Sequence, residues 1–141
     1  MANYMGCTKS NSFKVKVGME EYAKNILSSV CSEDELYFDF DKNEDGFTFC
    51  SFCCYGNIYG LPDNWIESNQ DSDEYEDADM DLFLKELQKI VSEDSYILIV
   101  DAGNEKLRYV GGGAYVVTST DISYMDIWDV AKRKAEELIK K

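Results

Sequence analysis

Between Glu33 and Asp94 the chain sets 19 acidic residues against three lysines, Lys42, Lys85 and Lys89, and interleaves them with aromatic residues at short spacing. The acids must stay in water while the rings seek burial, so this stretch can fold only into two-faced elements. Leu36, Phe38 and Phe40 alternate with Tyr37, Asp39 and Asp41, the period of two of a strand with one buried side. Phe47 to Tyr59 is again rich in aromatic residues, and Asn43 to Gly46 lies between the two runs. The pair reads as a β-hairpin.

The flanking sequence supplies the other elements. Phe13, Val15 and Val17 alternate with Lys14, Lys16 and Gly18, which predicts a strand. From Met19 to Val30, apolar Tyr22, Ala23, Ile26, Leu27 and Val30 recur at helical spacing behind Glu20 and Glu21, which suit the amino-terminal turn. Ser32 to Glu35 reads as a turn. Gly60 and Pro62 break the pattern, and the segment to Asp79 carries eight acids without Lys or Arg, an exposed acidic loop at about 62–79. Asp79 is placed to cap a helix with Phe83, Leu84, Leu87, Ile90 and Val91 as its apolar stripe, ending near Ser92. Tyr96 to Val100 reads as a buried strand and Asp101 to Glu105, with Gly103-Asn104, as a turn; Lys106 to Thr118 resumes as a strand interrupted by Gly111 to Gly113. Ser123 and Asp126 precede a last helix whose Ile127, Trp128, Ala131, Ala135, Leu138 and Ile139 are expected to face inward, with Lys140 and Lys141 at its carboxyl end. The expected class is α+β, a two-layer sandwich of a mainly antiparallel sheet covered by helices, in the order β-α-β-β-α-β-β-α and as a single domain over 1–141. Its first six elements follow the ferredoxin-like order, which hosts many unrelated functions.

The 141 residues include 28 acids, 14 bases and no histidine, a formal net charge of −14. Imidazole chemistry is therefore excluded, including Ser-His-Asp triads, Cys-His pairs and His-ligated zinc or haem. The field of such a chain repels phosphate polymers and acidic headgroups, so neither nucleic acid nor a membrane is expected as a direct partner. Ten Tyr, seven Phe and two Trp supply a core. No run approaches the roughly 18 to 20 apolar residues of a membrane span, and the first residues lack a signal-peptide pattern, so a cytoplasmic protein is expected, in a bacterial host cell if the resemblance below holds. Cys7, Cys31, Cys50, Cys53 and Cys54 form no regular framework and read as reduced thiols.

Several motifs invite chemistry and are better explained otherwise. Asp41, Asn43, Asp45 and Gly46 match the first half of a calcium loop, but Phe52 stands at the position of the bidentate glutamate, and a hairpin turn uses the same letters. Cys50, Cys53 and Cys54 spell C-x-x-C-C, yet on a strand Cys50 and Cys53 point to opposite faces and no second pair completes a zinc site. Gly111 to Gly113 lacks the helix start of a phosphate cradle and reads as close packing beneath an aromatic ring such as Tyr109 or Tyr115. Met5 to Ser10 resembles an acylation signal only if translation starts at Met5. Asp63, Glu67 and Asp101 are candidate acid-base carboxylates only if one is buried near another. No metal, cofactor or catalytic residue is assigned.

The acidity is regional. Residues 33–94 carry a net −16, residues 1–32 carry +2, and residues 95–141 balance at zero. Charge gathered in the middle of the chain, with aromatic residues among it, suits docking to a basic protein. Asp71, Asp73, Glu74, Glu76, Asp77 and Asp79 are expected to engage its Lys and Arg residues, with Trp65 and Tyr75 as desolvated anchors. Together with Asp81 these acids are spaced to stand in for successive phosphates. In size, charge and this acidic stretch the chain is similar in type to the small anti-defence proteins of phages and mobile elements, the anti-CRISPR and antirestriction proteins. That resemblance implies a non-enzymatic inhibitor occupying the nucleic-acid-binding surface of a host defence nuclease, and it carries over no residue by match. An immunity protein for a toxin and a small enzyme or ligand sensor are the alternatives. Homodimerisation through Phe47 to Tyr59, if that strand lies at an edge, is a further expectation.

Overall fold

The structure, a computed structural model, describes residues 5–62, 65, 78–105 and 109–140. In chain order the elements are strands β1 (Met5–Ser10) and β2 (Phe13–Lys14), helix α1 (Glu20–Ser29), strands β3 (Cys31–Ser32), β4 (Tyr37–Lys42), β5 (Thr48–Tyr55), β6 (Ile58–Pro62) and β7 (Ala78–Asp79), helix α2 (Met80–Ile90), strands β8 (Ile97–Glu105), β9 (Tyr109–Val117) and β10 (Ile122–Asp126), and helix α3 (Ile127–Ile139). The class is α+β with an antiparallel main sheet, ordered β10-β9-β8-β1-β5, in which β2 continues β1 along one flank of β5 and β4 takes the other flank. Strands β1 and β4 are thus parallel with β5 between them, and β5 and β8 are parallel with β1 between them. These are two interleaved split β-α-β units, whose crossovers are α1 and α2. A smaller sheet, β3-β6-β7, lies against α2.

Side-chain alternation determines which face is covered. Phe13, Cys50, Phe52, Ile97, Ile99 and Val117 are buried on the face that receives Ala23, Ile26 and Leu27 of α1 and Phe83, Leu84, Leu87 and Ile90 of α2. Phe52 sits at the centre, edge-on to Phe13 at 6.3 Å and to Phe83 at 5.9 Å. Each such side chain contributes about 1.5–3 kcal/mol by leaving water. Asp79 caps α2 as its position predicts, accepting from the N–H groups of Asp81 at 2.9 Å and Leu82 at 3.3 Å. The β4–β5 hairpin also forms where the alternation places it.

Four features depart from the sequence reading. First, Met5–Ser10 is a central strand, bonded to both β5 and β8. Its inward residues are polar: the Thr8 hydroxyl donates to the Gly56 carbonyl at 2.8 Å, and Ser10 Oγ accepts from the Phe52 N–H at 2.9 Å. An apolar alternation is therefore missing from it. Second, Asp101–Glu105 is not a turn, because β8 stays in register with β9 from Ile97↔Val117 to Glu105↔Tyr109, and residues 106–108 connecting them lie outside the described residues. Third, Phe47–Tyr59 is not an edge: β5 is paired on both sides, so pairing of two chains through it is excluded. Fourth, β10 is an added strand, and every residue of the α3 helix that follows is exposed. The expected inward packing of Ile127, Trp128, Ala131, Ala135, Leu138 and Ile139 does not occur, because α3 leaves the sheet on the side away from α1 and α2. Among the described residues no helix is long and apolar enough to cross a membrane.

Candidate interaction surface

Strand β4 forms one edge of the main sheet and is exposed along nearly its whole length. It belongs to the run Glu33–Asp45, in which seven acids, Glu33, Asp34, Glu35, Asp39, Asp41, Glu44 and Asp45, face one base, Lys42, and all eight are exposed. Aromatic surface lies among them: Tyr37 is 55%, Tyr59 45% and Phe38 38% exposed. Leu36, Phe38 and Tyr59 also line a groove of about 770 Å³ rimmed by Glu33, Asp34 and Glu35. Beneath it Phe38 packs edge-on against Phe40 at 6.0 Å, with Lys24 of α1 over the Phe40 ring at 5.6 Å. The local geometry explains the arrangement. The edge strand buries Phe40 toward α1, and its alternate residues Asp39 and Asp41 project from the opposite face.

Of the residues expected to bind a partner, Asp71, Asp73, Glu74, Tyr75, Glu76 and Asp77 lie outside the described residues, as do Asp63 and Glu67. The two strands flanking that segment pair with each other, Leu61↔Asp79 and Pro62↔Ala78. Asp79 is exposed, but one of its oxygens is engaged in capping α2. Trp65 is not a surface anchor: it is 7% exposed, belongs to the core, and meets Tyr22 edge-on at 5.7 Å. Sequence reasoning overlooked the acidic edge at Asp39 and Asp41, although their alternation with Phe38 and Phe40 was the available signal.

Tyr22 also meets the one charged side chain among the buried described residues. Glu86 is 1% exposed on the core side of α2, accepts a hydrogen bond from the Tyr22 hydroxyl, and forms an ion pair with Lys89 at 2.5 Å. Burial, then the hydrogen bond and charge of Glu86, push the Tyr22 phenol up to about 12. Lys89 is half exposed and Tyr22 partly so, with the buried Glu86 carboxylate between them.

The motifs resolve structurally. Asn43 Oδ1 accepts from the N–H groups of Asp45 at 3.1 Å and Phe47 at 2.9 Å, and Gly46 takes a φ of +85°, so the calcium-like letters form the β4–β5 turn. Cys50 and Cys54 are buried, and desolvation pushes their thiols up to about 12 and about 11, which leaves them protonated and packed as small apolar groups. A Cβ on Gly113 would fall 2.3 Å from the Tyr124 hydroxyl oxygen and one on Gly112 2.8 Å from the Asp101 carbonyl oxygen, so the close packing falls against Tyr124 and the neighbouring backbone and not beneath the expected Tyr109 or Tyr115.

Asp101, Gly113 and Asp126 are in register across β8, β9 and β10. Burial raises the Asp101 carboxyl pKa, the Gly113 N–H bonded to it opposes the shift, and the Asp126 carboxylate adds to it. A raised carboxyl contributes stability below its unfolded pKa of about 3.9, and this is lost as pH rises through the folded value. Asp101→Asn keeps an oxygen for Gly113 and is expected to raise the melting temperature at pH 7 by about 2 °C, with the gap closing toward pH 3. Thermal melts of both proteins across that range check it; a variant that melts lower at pH 7 would contradict the assignment.

Comparison of the chain with protein-family models, curated proteins and solved structures finds no match. The functional reading therefore rests on the residues themselves.

Proposed function

We propose that this chain is a non-catalytic, acidic binding protein that inhibits a basic nucleic-acid-binding partner, of the type of a host defence nuclease, by occupying the surface where that partner holds phosphate. The observation that carries the reading is the β4 edge, where seven exposed acids and one lysine share a run with exposed Tyr37 and Phe38, and where Glu33, Asp34 and Glu35 rim the groove lined by Phe38 and Tyr59. Carboxylates in a row supply the field that steers a basic surface into contact, and half-exposed aromatic rings supply area that can be desolvated on docking. Asp39 and Asp41 also deter a further strand from pairing with this edge, which favours side-chain docking there over sheet extension. The acidic stretch Asp71 to Asp79 adds charge of the same sign to the chain.

The test is a cleavage assay in which purified defence nuclease complexes are titrated with the protein at 50 and 500 mM NaCl. Stoichiometric loss of cleavage is expected, with affinity falling at least about tenfold at the higher salt. Asp39→Lys/Asp41→Lys is expected to relieve inhibition by about tenfold or more with the melting temperature nearly unchanged, because both positions are exposed. Inhibition that ignores both salt and the charge reversal would overturn the proposed surface. Failure to bind any basic nucleic-acid-handling protein would overturn the function.

A further inference from the structure

We infer that the face formed by β10 and α3 is the contact surface for a second copy of this chain, in a twofold dimer. The sheet ends at β10, and among the described residues no strand pairs with its outer edge. Where β4 carries aspartates, β10 turns Met125, 40% exposed, to the side of the sheet that α3 occupies, and Ile122 and Tyr124, 38% and 51% exposed, to the other side. Helix α3 continues the surface begun by Met125 with Ile127, Trp128 and Val130 near its start and Leu138 and Ile139 at its outer end, the last two 54% and 83% exposed. The start of α3 is held to the sheet by Trp128 Nε1, which donates to the Val110 carbonyl at 2.7 Å. Between the helix and the uncovered face of β8 and β9 runs a groove of about 580 Å³, walled by Val100, Val110, Ala114, Met125, Ile127 and Trp128.

Three arguments favour a second copy as the occupant. The exposed apolar side chains of Met125, α3 and the adjoining groove amount to on the order of 1,000 Å², above the few hundred that monomers leave in one patch and comparable with the about 800 Å² that each partner buries in a standard interface. The chain carries both halves of the contact, a helix with an unburied apolar stripe and an apolar groove. A twofold axis seats each helix on the other copy's groove, so every contact occurs twice. The charge distribution permits it as well. Residues 95–141 have no net charge, whereas residues 127–141 carry five bases and three acids, a net +2, against −16 for residues 1–126. The dimer thus joins the neutral ends of two acidic molecules and brings a basic helix toward an acidic neighbour.

Sedimentation velocity on the full chain, from 1 to 100 µM and at 50 and 500 mM NaCl, tests this. A species of about 32 kDa, twice the 16.1 kDa of one chain, is expected to persist at the higher salt, where binding through the acidic edge weakens. Leu138→Ser/Ile139→Ser, at positions outside the core, is expected to weaken dimerisation at least about tenfold with an unchanged circular dichroism spectrum. A monomer throughout the range would overturn the inference. So would a dimer indifferent to these substitutions and to Trp128→Ala, or a monomer whose groove takes up one equivalent of the apolar dye ANS. None of these outcomes bears on inhibition through β4.

Discussion

Gly60→Ala is expected to destabilise the protein by about 3–5 kcal/mol, enough to consume much of the stability of a domain this size. Gly60 lies in β6 with a φ of +119°, a conformation that L side chains rarely adopt. An added Cβ would stand 2.3 Å from the carbonyl carbon and oxygen of Asp79 and 2.5 Å from the Met80 nitrogen. Those atoms are backbone at the start of α2, so no side chain can swing aside. The helix would have to move, and with it Phe83, Leu84, Leu87 and Ile90, all 2% exposed or less. Gly46 is the control: its φ is +85° but nothing lies within 4 Å of its added Cβ, so Gly46→Ala should cost only about 1–2 kcal/mol. Urea unfolding of the two variants separates steric conflict from backbone strain, and equal losses would refute the close approach at Gly60.

Tyr22→Phe is expected to cost about 2–3 kcal/mol, because it removes the hydroxyl that serves the buried Glu86 carboxylate. Glu86→Leu on that background should recover much of the loss, since an apolar group of similar size needs no partner. A double-mutant cycle by urea unfolding reads this as a coupling of about 1.5 kcal/mol or more; additive losses would refute it. The pH dependence has a definite sign. A phenol raised from 10 to about 12 on folding contributes stability that is present below pH 10 and lost as pH rises toward 12. Cys50 and Cys54, with thiols also raised, act in the same direction from pH 9 upward. Wild-type stability should therefore fall across pH 9–12, and Tyr22→Phe should lose the part of that slope owed to the phenol.

The elements that periodicity revealed are those whose inward residues are apolar. Helices α1 and α2 bury Ile26 and Phe83 at the positions their spacing predicts, and the β4–β5 hairpin pairs where the alternation places it, although Phe38 on its expected buried side is 38% exposed. Strand β1 was illegible because its inward residues, Thr8 and Ser10, are satisfied by hydrogen bonds rather than by apolar packing. The far end of β8 has the letters of a turn in Asp101, Gly103 and Asn104, although cross-strand pairing with β9 overrides that preference. Helix α3 shows a different limit. Spacing establishes that Ile127, Ala131 and Leu138 share a stripe, but not whether the stripe meets its own core. Trp65 illustrates the reverse, for an aromatic residue amid acids looks like an anchor until Tyr22 is found against it. The acidity of the middle region was plain in the sequence; that part of it runs along an exposed edge became visible only when β4 was placed beside β5.

The chemically opposite edges of the main sheet bear on valency. Five interstrand spacings separate β4 from β10, about 24 Å. Two copies joined at β10 therefore carry their acidic edges at the far ends of the assembly, pointing away from each other. A target with two suitably spaced basic sites would be gripped twice, the second engagement occurring at the effective concentration set by the first, and the gain over one-site binding can reach about 10²–10⁴ without any new contact. Targets with a single basic site would gain nothing, so the reach of the dimer would itself select among partners.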